Sequence, residues 1–599
     1  MNQETAPAIG KAELKNALDQ LRRCKAAKAQ LERRILENED YWRLRHWDRI
    51  PEQGTTGLKT KSAWLLNVLL SKHADAMDAY PEPSLLPRAQ DDEDMARLLS
   101  AVVPVILQQN DFEKTWSDNW WKKLKAGAAV YGVFWDRTAL NGLGDVAVKP
   151  VDPLSLYWEP GITDLQQSRN LFHVRLENNE TLVELYPVLK DRLGREPFPV
   201  RAWFADPLTD VTDKTPVIDW YYKKRLGGRT VLHYVKFVGE TVLYATENDP
   251  ACENGLYDHG LYPFFADVLF PEEGTPMGFG YIDVCKDAQR QIDLMNNAIV
   301  ANCIAAATPR WLKRGDDGIN EEEYADWTRP FVHVQGSIED SALRQISVNP
   351  LSGNYLNILA SKINEIKETS GNRDVNNGGV GGGVTAASAI AAMQEQSGKL
   401  SRDQIRNSYR CFRHVVYCVI SLIRQFYDVP RQLRIAGPDG EAAFLRLDNR
   451  GMERLEPAML DIEVSAQKQS AYNKLSYNEL ALQLYGLGFF NPQMADQALT
   501  ALDMMDFKGL PALRARLRAN GDLQSRLEQA EFRLQSLLEL AAPAGSIGRE
   551  EADARQAKPR RGAAPRLKLR STDSLGGERK PNAIAEKAKA RAAAATQPR

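Results

Sequence analysis

Apolar residues between positions 281 and 307 recur every three or four positions, the spacing of one face of an amphipathic helix. The stripe consists of Cys285, Ala288, Ile292, Met295, Ile299, Cys303 and Ala306. Lys286, Arg290, Asp293 and Asn297 fall outside the stripe, so we expect them on the polar face. At a rise of 1.5 Å per residue, the predicted helix is roughly 40 Å long.

Two further helices follow, with a glycine-rich segment between them. Residues 354–369 carry a second apolar stripe, and the pattern breaks at residues 371–383, where glycine gives the backbone wide conformational freedom. Thr385 can cap a third helix that runs to Asp428 and stops at Pro430. Its apolar positions are Ile405, Tyr409, Phe412, Val416, Val419, Ile423 and Phe426. This helix could be roughly 65 Å long.

The first half of the chain changes from a helical period to a β period near Gly127. Helices are expected over residues 11–36, over residues 62–80 and after the acidic run 91–94, whose carboxylates favour a helix N-terminus. Alternating apolar positions then predict strands at 130–135, 146–148, 171–175, 181–186, 217–222, 230–237 and 241–245.

The C-terminal part predicts three short strands, a helical region and a tail. The strands are expected at 432–435, 443–447 and 461–464. Residues 471–541 show a helical pattern, with Leu523, Leu527, Leu534 and Leu538 as a packing stripe. Beyond Pro543 the composition turns to Ala, Arg, Lys, Gly and Pro without periodicity, which is typical of a disordered tail.

Composition and charge exclude several classes of protein. Of the 599 residues, 43% are hydrophobic and 26% charged, as in a folded soluble protein, and the net charge of −2 argues against indiscriminate coating of nucleic acid. The six cysteines show no paired spacing, which fits a reducing compartment. Neither a signal peptide nor an apolar run of membrane-spanning length is apparent, so we expect no membrane and a cytoplasmic origin.

The charge is unevenly distributed along the chain. From Arg549 onward, 14 basic residues face six acidic ones, a net charge of +8, so the remainder of the chain carries about −10. An acidic body with a basic flexible end could let DNA slide past walls that do not grip it. A solvated tail without a partner explains the same composition equally well.

Candidate catalytic and ligand-binding motifs are weak throughout. The sequence G-x-x-x-x-G-K-[ST] is absent, which excludes a packaging ATPase of the P-loop kind. Cys411, His414 and Cys418 step by three and four and could offer three zinc ligands, but they lie on or beside the apolar stripe, which favours core packing. We expect no catalytic residue, no metal site and no cofactor.

Two other groups of residues have both a functional and a structural interpretation. The aromatic cluster Tyr41-Trp42-x-x-x-x-Trp47 could stack on nucleic-acid bases, but packing against the chain or a neighbouring subunit is favoured. Asp152, Glu159 and Asp164 could suggest a metal, but acids at such positions are typical turn formers.

The order of the central elements resembles the portal proteins of tailed bacteriophages, of the podovirus-like kind. The residues carrying the resemblance are Gly278-x-Gly280, the run Asp287-x-Gln289-Arg290-x-x-Asp293-x-x-Asn296, and the segments 384–390 and 394–403. The resemblance implies an α+β, helix-rich fold. Its parts would be N-terminal helices and wing (1–279, β-rich from about 128), first stem helix (280–307), clip (308–350), second stem helix (351–370), tunnel loop (371–384), long wing helix (385–429), wing strands (430–465), helical crown (466–542) and disordered basic tail (543–599).

The resemblance also implies a function. Such a chain forms a ring of about twelve copies at one vertex of the phage head, through which double-stranded DNA is packaged and ejected. Its partners would be the terminase large subunit, head-completion or tail adaptor proteins, and the major capsid and scaffolding proteins. The localisation would be the capsid portal vertex of the virion.

Three groups of residues are assigned to this function. The DNA-facing tunnel loop would comprise Asn372, Arg373, Asn376, Asn377, Gly378, Gly379, Gly381, Gly382 and Gly383. Lys362 and Lys367 would face the channel from the second stem helix. Arg310, Trp311, Lys313 and Arg314 would form the clip and partner interface. The contacts to DNA would be made to the backbone and would be independent of sequence.

Two alternatives remain open from the sequence. One is a metal-dependent nucleic-acid-processing enzyme, and the other is a head–tail adaptor or scaffold protein. The length of the chain and the order of its central elements argue against an adaptor, because adaptors of that junction are usually much smaller.

Overall fold

A computed structural model describes most of the chain up to residue 466 and short helical pieces beyond it. The described residues are 9–46, 60–88, 92–190, 192–193, 213–252, 254–307, 310–313, 322, 343–346, 353–372, 399–436, 442–447, 460–466, 483–484, 486, 499, 516, 518, 526–527 and 529–536. The chain divides into two compact units, Met1–Leu475 and Ser476–Arg599.

The helices of the first unit include those that the apolar stripes predict. They are α1 (Lys11–Trp42), α2 (Trp64–Asp78), α3 (Glu93–Gln109), α4 (Phe112–Ala126), α5 (Asn179–Leu185), α6 (Tyr281–Ala307), α7 (Gly353–Ser370) and α8 (Lys399–Phe426). Glu93 and Asp94 lie in the first turn of α3, as expected from the acidic run. Of the long helix predicted from residue 385, the part before 399 lies outside the described residues.

The strands form two larger sheets and three two-stranded ribbons within the described part of the chain. In chain order they are β1 (Pro81–Pro87), β2 (Ala128–Asp136), β3 (Asp145–Val151), β4 (Leu156–Trp158), β5 (Asn170–Asn178), β6 (Lys214–Leu226), β7 (Arg229–Val238), β8 (Thr241–Ala245), β9 (Phe264–Val268), β10 (Arg310–Lys313), β11 (Leu343–Ile346), β12 (Arg431–Ala436), β13 (Ala442–Leu447) and β14 (Leu460–Ala466). The mixture of helices and sheets confirms the α+β class.

The two larger sheets are antiparallel and have the strand orders β3-β2-β9 and β4-β5-β6-β7-β8. Side chains alternate between the two faces of a strand, so each sheet can bury one face against helices. The β3-β2-β9 sheet buries Tyr131, Val133 and Val146 in the main core, with α3, α4 and α8. The five-stranded sheet buries Phe172 and Val235 in a separate core with the first turns of α1.

One prediction about secondary structure was wrong, and the strand β1 was not expected. Residues 181–185, expected as part of a strand, belong to the helix α5, because the Asn178 side chain accepts a hydrogen bond from the Glu180 backbone N–H and caps it. The helix expected over residues 62–80 ends at Asp78, and Pro81 and Pro83 beyond it lie in β1, which pairs with the distant β14. β1 pairs with a single partner strand, the setting in which a sheet tolerates proline.

The aromatic cluster near the end of α1 packs within the chain. The Tyr41 ring is buried and stacks on the His46 imidazole with 4.7 Å between centroids. The Trp42 ring lies 5.1 Å from the Trp121 ring. The packing interpretation is therefore confirmed for Tyr41 and Trp42, and Trp47 lies outside the described residues.

The acidic residues considered as metal ligands accept hydrogen bonds within the chain. An Asp152 oxygen accepts a hydrogen bond from the Leu154 backbone N–H at 2.9 Å, and an Asp164 oxygen accepts one from the Gln166 backbone N–H at 3.0 Å. The turn-forming interpretation is confirmed for these two residues. The Glu159 carboxylate instead accepts hydrogen bonds from the Arg169 backbone N–H and the Asn170 side chain, which are distant from it along the chain.

The described parts of the second unit are helical between residues 483 and 536. Leu527 and Leu534, expected in a packing stripe, are 56% and 61% exposed. The stripe is therefore not buried within the chain at these two positions, while Leu523 and Leu538 lie outside the described residues. The basic tail also lies outside them.

Candidate functional site

The central feature of the molecule is the pair of helices α6 and α7, which pack against each other and against α2. α6 is 27 residues long and α7 is 18. The segment between them contains the paired strands β10 and β11. These helices are the ones that the resemblance assigns to a portal stem, and we call them the stem pair.

Close approach of three glycines fixes the direction in which α6 leaves the body. A Cβ on Gly278 would lie 1.8 Å from the Phe270 carbonyl oxygen, and one on Gly280 would lie 2.7 Å from the Leu124 carbonyl oxygen. Gly127 ends α4 with φ of +87°, and a Cβ there would meet the Gly278 carbonyl oxygen at 2.5 Å. The motif Gly278-x-Gly280 therefore lets the backbone preceding α6 touch the end of α4 and the chain after β9.

A buried ladder of polar side chains then ties α6 to the segment that precedes α2. Gln289, Asp293 and Asn297 are spaced four residues apart and lie on one helix face, and all three are buried. Asp293 and Asn297 fall outside the apolar stripe of the helix, yet both are buried. The ladder binds residues 46 and 60–65.

Asp293 is the centre of the ladder, with 0% of its surface exposed. Its carboxylate accepts hydrogen bonds from the Ser62 backbone N–H at 2.9 Å and the Ser62 hydroxyl at 2.5 Å. It also accepts one from Gln289 Nε2 at 3.1 Å and lies 3.0 Å from His46 Nε2. A buried carboxylate with this many donors is satisfied, and removal of any donor would leave part of its charge uncompensated.

A second buried cluster ties the long helix α8 to the body. Lys123 Nζ on α4 lies 2.7 Å from Asp267 Oδ1 on β9, and donates to the Ser408 hydroxyl oxygen on α8 at 2.7 Å. Ser408 in turn donates to Asp267 Oδ2 at 2.6 Å. The Lys123 amine also lies 4.6 Å from the centre of the Trp120 ring. Three elements that are far apart in sequence therefore share one desolvated ion pair.

The first turns of α8 are held beside the base of α6. Lys72 Nζ donates to the Ser401 hydroxyl at 2.9 Å, and Ser401 donates to Asp75 at 2.7 Å. Burial lowers the pKa of the Lys72 amine, and the charge of Asp75 opposes this effect. Gln404 Nε2 donates to the Tyr281 hydroxyl at 2.7 Å, and burial raises the pKa of that phenol to about 12.

The glycine-rich segment starts and ends close to these buried contacts. Before it, Gly371 adopts a φ of +67°, and the Asn372 backbone N–H donates to the Ser370 hydroxyl at 3.3 Å. Asn372, which was predicted to face DNA, is only 3% exposed in this chain. After it, Ser401 is buried. Both boundaries of the segment 373–398 are therefore placed by the body, while the segment itself lies outside the described residues.

The predicted site residues are only partly within the described structure. Lys362 Nζ donates to Glu365 at 2.7 Å, and Lys367 Nζ lies 5.8 Å from the centre of the Trp64 ring. Outside the described residues are Arg314, Arg373, Asn376, Asn377, Gly378, Gly379, Gly381, Gly382 and Gly383. Arg310, Trp311 and Lys313 belong to β10, but their side chains are not described. The DNA-facing and partner-binding roles stay predictions.

Sequence reasoning missed the residues that hold the stem pair in place. The spacing of Gln289, Asp293 and Asn297 was visible as a four-residue repeat, but it does not tell a buried polar face from an exposed one. No sequence signal pairs Lys123 with Asp267, because 144 positions separate them. The tertiary structure alone brings these groups together.

The Cys411, His414 and Cys418 group is divided between core and surface. The two cysteines are buried in the main core, where burial raises the pKa of both thiols. The His414 ring is exposed and stacks on Phe265 with 5.9 Å between centroids. No cluster of three or more His, Cys, Asp or Glu suited to a metal ion occurs among the residues that the structure describes.

The stem pair also leaves apolar side chains on its surface. Toward the body, α6 buries Tyr281, Ile282 and Ile292, and α7 buries Ile366. Farther along each helix several apolar side chains are at least 40% exposed: Leu294, Ile304, Tyr355, Leu356 and Ile358. The part of the stem pair nearest the connecting segment therefore has an apolar surface that the described part of its own chain does not cover.

No helix among the described residues is both long enough and apolar enough to cross a lipid bilayer. Comparison with curated proteins gives no match. The family model for phage P22-like portal proteins matches residues 18–564, which includes the stem pair, the buried ladder and the Lys123–Asp267–Ser408 cluster. This match covers most of the chain, and the chain therefore belongs to the phage P22-like portal protein family.

Proposed function

We propose that this protein is the subunit of a ring of about twelve copies at one vertex of a phage capsid. Double-stranded DNA passes through the central channel of the ring during packaging and ejection. The ring also serves as the docking site for the terminase large subunit, for head-completion and tail adaptor proteins, and for the major capsid and scaffolding proteins. Membership of the portal family supports this role. The protein acts as a structural channel rather than as an enzyme.

The observation that carries the ring proposal is the uncovered apolar surface of the stem pair. Leu356 is 60% exposed and Ile358 is 45% exposed on α7, which packs against α6. Burying a Leu or Ile side chain contributes roughly 1.5–3 kcal/mol. A second copy that packs its stem pair alongside would remove this surface from water, and repetition of the contact with closure gives a ring.

The ring is tested by negative-stain imaging together with a mass measurement in solution. We expect particles with a central hole and a mass near a dozen subunits. The double variant Leu356→Asp/Ile358→Asp should remain folded but lose the ring, because each copy would bury two carboxylates. Leu226→Asp is the matched control, since Leu226 is 52% exposed on the β6–β7 hairpin, away from the stem pair.

A wild-type protein that stays monomeric at high concentration and with capsid scaffolding protein present would contradict the ring. Metal-dependent nuclease activity in that monomer, abolished by carboxylate substitutions, would favour the alternative of a nucleic-acid-processing enzyme. A ring that survives Leu356→Asp/Ile358→Asp would show that the stem pair is not the subunit contact.

The DNA-facing role belongs to the segment that follows Asn372. Arg373, Asn376 and Asn377 would contact the DNA backbone, while the glycines at 378, 379 and 381–383 would let each loop follow the moving duplex. Lys362 and Lys367 would add positive charge from α7. Replacement of several of these glycines by β-branched residues should block packaging in an in vitro assay without preventing ring assembly. Normal packaging by such a variant would contradict the role of the loop.

The segment that joins α6 to α7 is the proposed docking end for the terminase and the adaptor proteins. The strands β10 and β11 pair there, and the first carries Arg310, Trp311 and Lys313, with Arg314 just beyond it. Charge reversal at Arg310, Lys313 and Arg314 should weaken terminase binding to assembled rings, measured by surface plasmon resonance. Unchanged affinity would remove these residues from the interface.

A further inference from the structure

A cleft of about 920 Å³ opens between the two larger sheets of the first unit. At its closed end the Phe264 ring of β9 lies 5.4 Å from the Phe134 ring, 5.4 Å from the His173 ring and 5.3 Å from the Tyr221 ring. These contacts join the β3-β2-β9 sheet to the five-stranded sheet. Beyond them the sheets separate, and their facing residues line the cleft.

The strand register explains which residues face the cleft. Across the five-stranded sheet, His173 pairs with Asp219, Asp219 with Lys236, and Lys236 with Tyr244. Directly paired residues on neighbouring strands point to the same face, so this row forms one wall. The opposite face of the same sheet is covered by the first turns of α1. The row lies on the other face of the sheet, one end of which packs against Leu182 and Leu189.

The other wall is the second face of the β3-β2-β9 sheet. Phe134 on β2 pairs with Ala147 on β3, and Lys149 and Val151 follow on the same face. All four line the cleft. Val133, Val146 and Val148 point the other way, into the main core. Two sheets that each bury one face against helices therefore present their second faces to each other across the opening.

Most charges that line the cleft are neutralised within it. The Asp219 carboxylate accepts hydrogen bonds from Arg175 Nε at 3.0 Å and from the Tyr234 hydroxyl at 2.6 Å. Lys149 Nζ lies 3.7 Å from the Asp136 carboxylate. Asp219 and Asp136 are therefore already committed to partners and repel a ligand carboxylate less than bare charges would.

Two cations in the cleft lack such a partner. Neither Arg137 nor Lys236 has a carboxylate within 4.0 Å among the described residues; each lies instead over a tyrosine ring. The Arg137 guanidinium is 5.9 Å from the centre of the Tyr244 ring, and Lys236 Nζ is 5.4 Å from that of Tyr186. Because Lys236 and Tyr244 are directly paired across β7 and β8, both cations lie near one tyrosine.

We propose that this cleft binds an extended segment of a partner protein that carries acidic residues among apolar ones. A guanidinium and an ammonium beside aromatic walls match carboxylates flanked by apolar side chains, and the cleft volume lies within the range of ligand sites, roughly 300–1,000 Å³. The lining carries four basic and four acidic side chains, so its formal charge is zero. Two unpaired cations can pair with two carboxylates, whereas a nucleic acid would bring a phosphate at every nucleotide to a lining without net positive charge.

The probe is a fluorescently labelled peptide, acetyl-Glu-Phe-Glu-Leu-Glu-Phe-amide, whose binding to the full-length protein is followed by fluorescence anisotropy. Two comparison peptides replace every Glu by Gln or by Lys, and a short single-stranded DNA is measured in parallel. The double variant Arg137→Gln/Lys236→Gln removes both unpaired cations. Arg229→Gln is the matched control, because Arg229 is an exposed cation of the same sheet outside the cleft. Thermal unfolding checks the folding of each variant.

We expect the Glu peptide to bind more tightly than the Gln and Lys peptides and the DNA. Its Kd should rise about tenfold in Arg137→Gln/Lys236→Gln, because two exposed charge pairs are lost, and should not change in Arg229→Gln. A photoreactive phenylalanine in the peptide should crosslink to residues of the two walls, which locates the site in the wild-type protein even if a variant fails to fold.

Other outcomes would overturn the proposal. Equal affinity for the Glu and Gln peptides, no detectable peptide binding, or crosslinks outside the cleft would each do so. Tighter binding of the DNA, lost in Arg137→Gln/Lys236→Gln, would assign the cleft to nucleic acid instead. A change in the mass of the assembly in that variant, with peptide binding unaffected, would make the face a contact between copies of this chain.

Discussion

The substitution Asp293→Asn tests how the base of α6 is held. In the wild-type protein two carboxylate oxygens face four donor groups, from Ser62, Gln289 and His46. Asparagine keeps the shape but has one acceptor oxygen, and its amide N–H₂ would point at donors. At least one of the four buried donors would lose its hydrogen-bond acceptor, and another would face the N–H₂ group of the asparagine. From the cost of unsatisfied buried groups we expect a loss of about 2–4 kcal/mol.

The expected effect is local, so it is best measured by hydrogen–deuterium exchange. The backbone N–H groups of Thr60, Ser62 and Leu65 donate to the ladder, to Asn297, Asp293 and Gln289 respectively. A loss of 2–4 kcal/mol in the opening free energy corresponds to an increase in exchange rate of roughly 30- to 700-fold, at tenfold per 1.4 kcal/mol. Peptides that cover residues 60–66 should show this increase, and the five-stranded sheet should not.

Asp287→Asn is the matched control, because it makes the same chemical change at an exposed position of the same helix, outside the ladder. Surface substitutions of this kind usually alter stability by less than about 0.5 kcal/mol. If Asp293→Asn accelerates exchange at residues 60–66 no more than Asp287→Asn does, the ladder does not hold this segment and the reasoning fails.

Three further predictions concern the close backbone approach, the buried ion pair and the cleft. Gly278→Ala should lower the melting temperature sharply, corresponding to a loss of about 3 kcal/mol or more of stability, because the new Cβ would lie 1.8 Å from the Phe270 backbone oxygen. Gly353→Ala is the control: the new Cβ would enter open space, and the melting temperature should hardly change. Lys123→Met should lower the free energy of unfolding by about 3–5 kcal/mol, because Asp267 would stay buried without its cation. A double-mutant cycle with Asp267→Asn, measured by urea unfolding, should show strong coupling between the two residues. Additive effects would contradict a shared ion pair. Burial lowers the pKa of His173 from 6.5 to about 4. Between pH 6.5 and about pH 4 the unfolded chain therefore binds a proton that the folded protein does not, so the free energy of unfolding falls as the pH falls. Over this range the wild type should lose stability more steeply than His173→Gln, by up to about 1.4 kcal/mol per pH unit, and parallel curves would show that His173 titrates normally.

Much of the local structure could be predicted because its signal is local. The apolar stripe of α6 predicted a helix over 280–307, and the structure has it at Tyr281–Ala307. Strands with alternating apolar residues, such as β6 and β7, were also expected at nearly their observed positions. Residues 181–186 misled the prediction because five of the six are compatible with a strand. A hydrogen bond from the Glu180 backbone N–H to the side chain of Asn178 caps a helix there instead.

The pairing of distant segments could not be predicted in the same way. β1 carries three prolines and reads as a loop in isolation, yet it pairs over its full length with β14, nearly 380 positions later. Pairing of this kind depends on what the intervening chain brings close, and no local pattern records it. The same holds for the cleft, whose walls come from two sheets.

The sequence by itself determined the class of the fold, the two stem helices with a glycine-rich segment after them, and the resemblance to portal proteins that the family match confirms. These features rest on hydrophobic period, glycine content and element order, which are properties of neighbouring residues. Only the tertiary structure decided that Asp293 and Asn297 are buried, that Lys123 meets Asp267 and Ser408, and that Arg137 and Lys236 face one cleft. A polar residue looks the same in sequence whether water or another polar group satisfies it, so its partner is known only once the chain has folded.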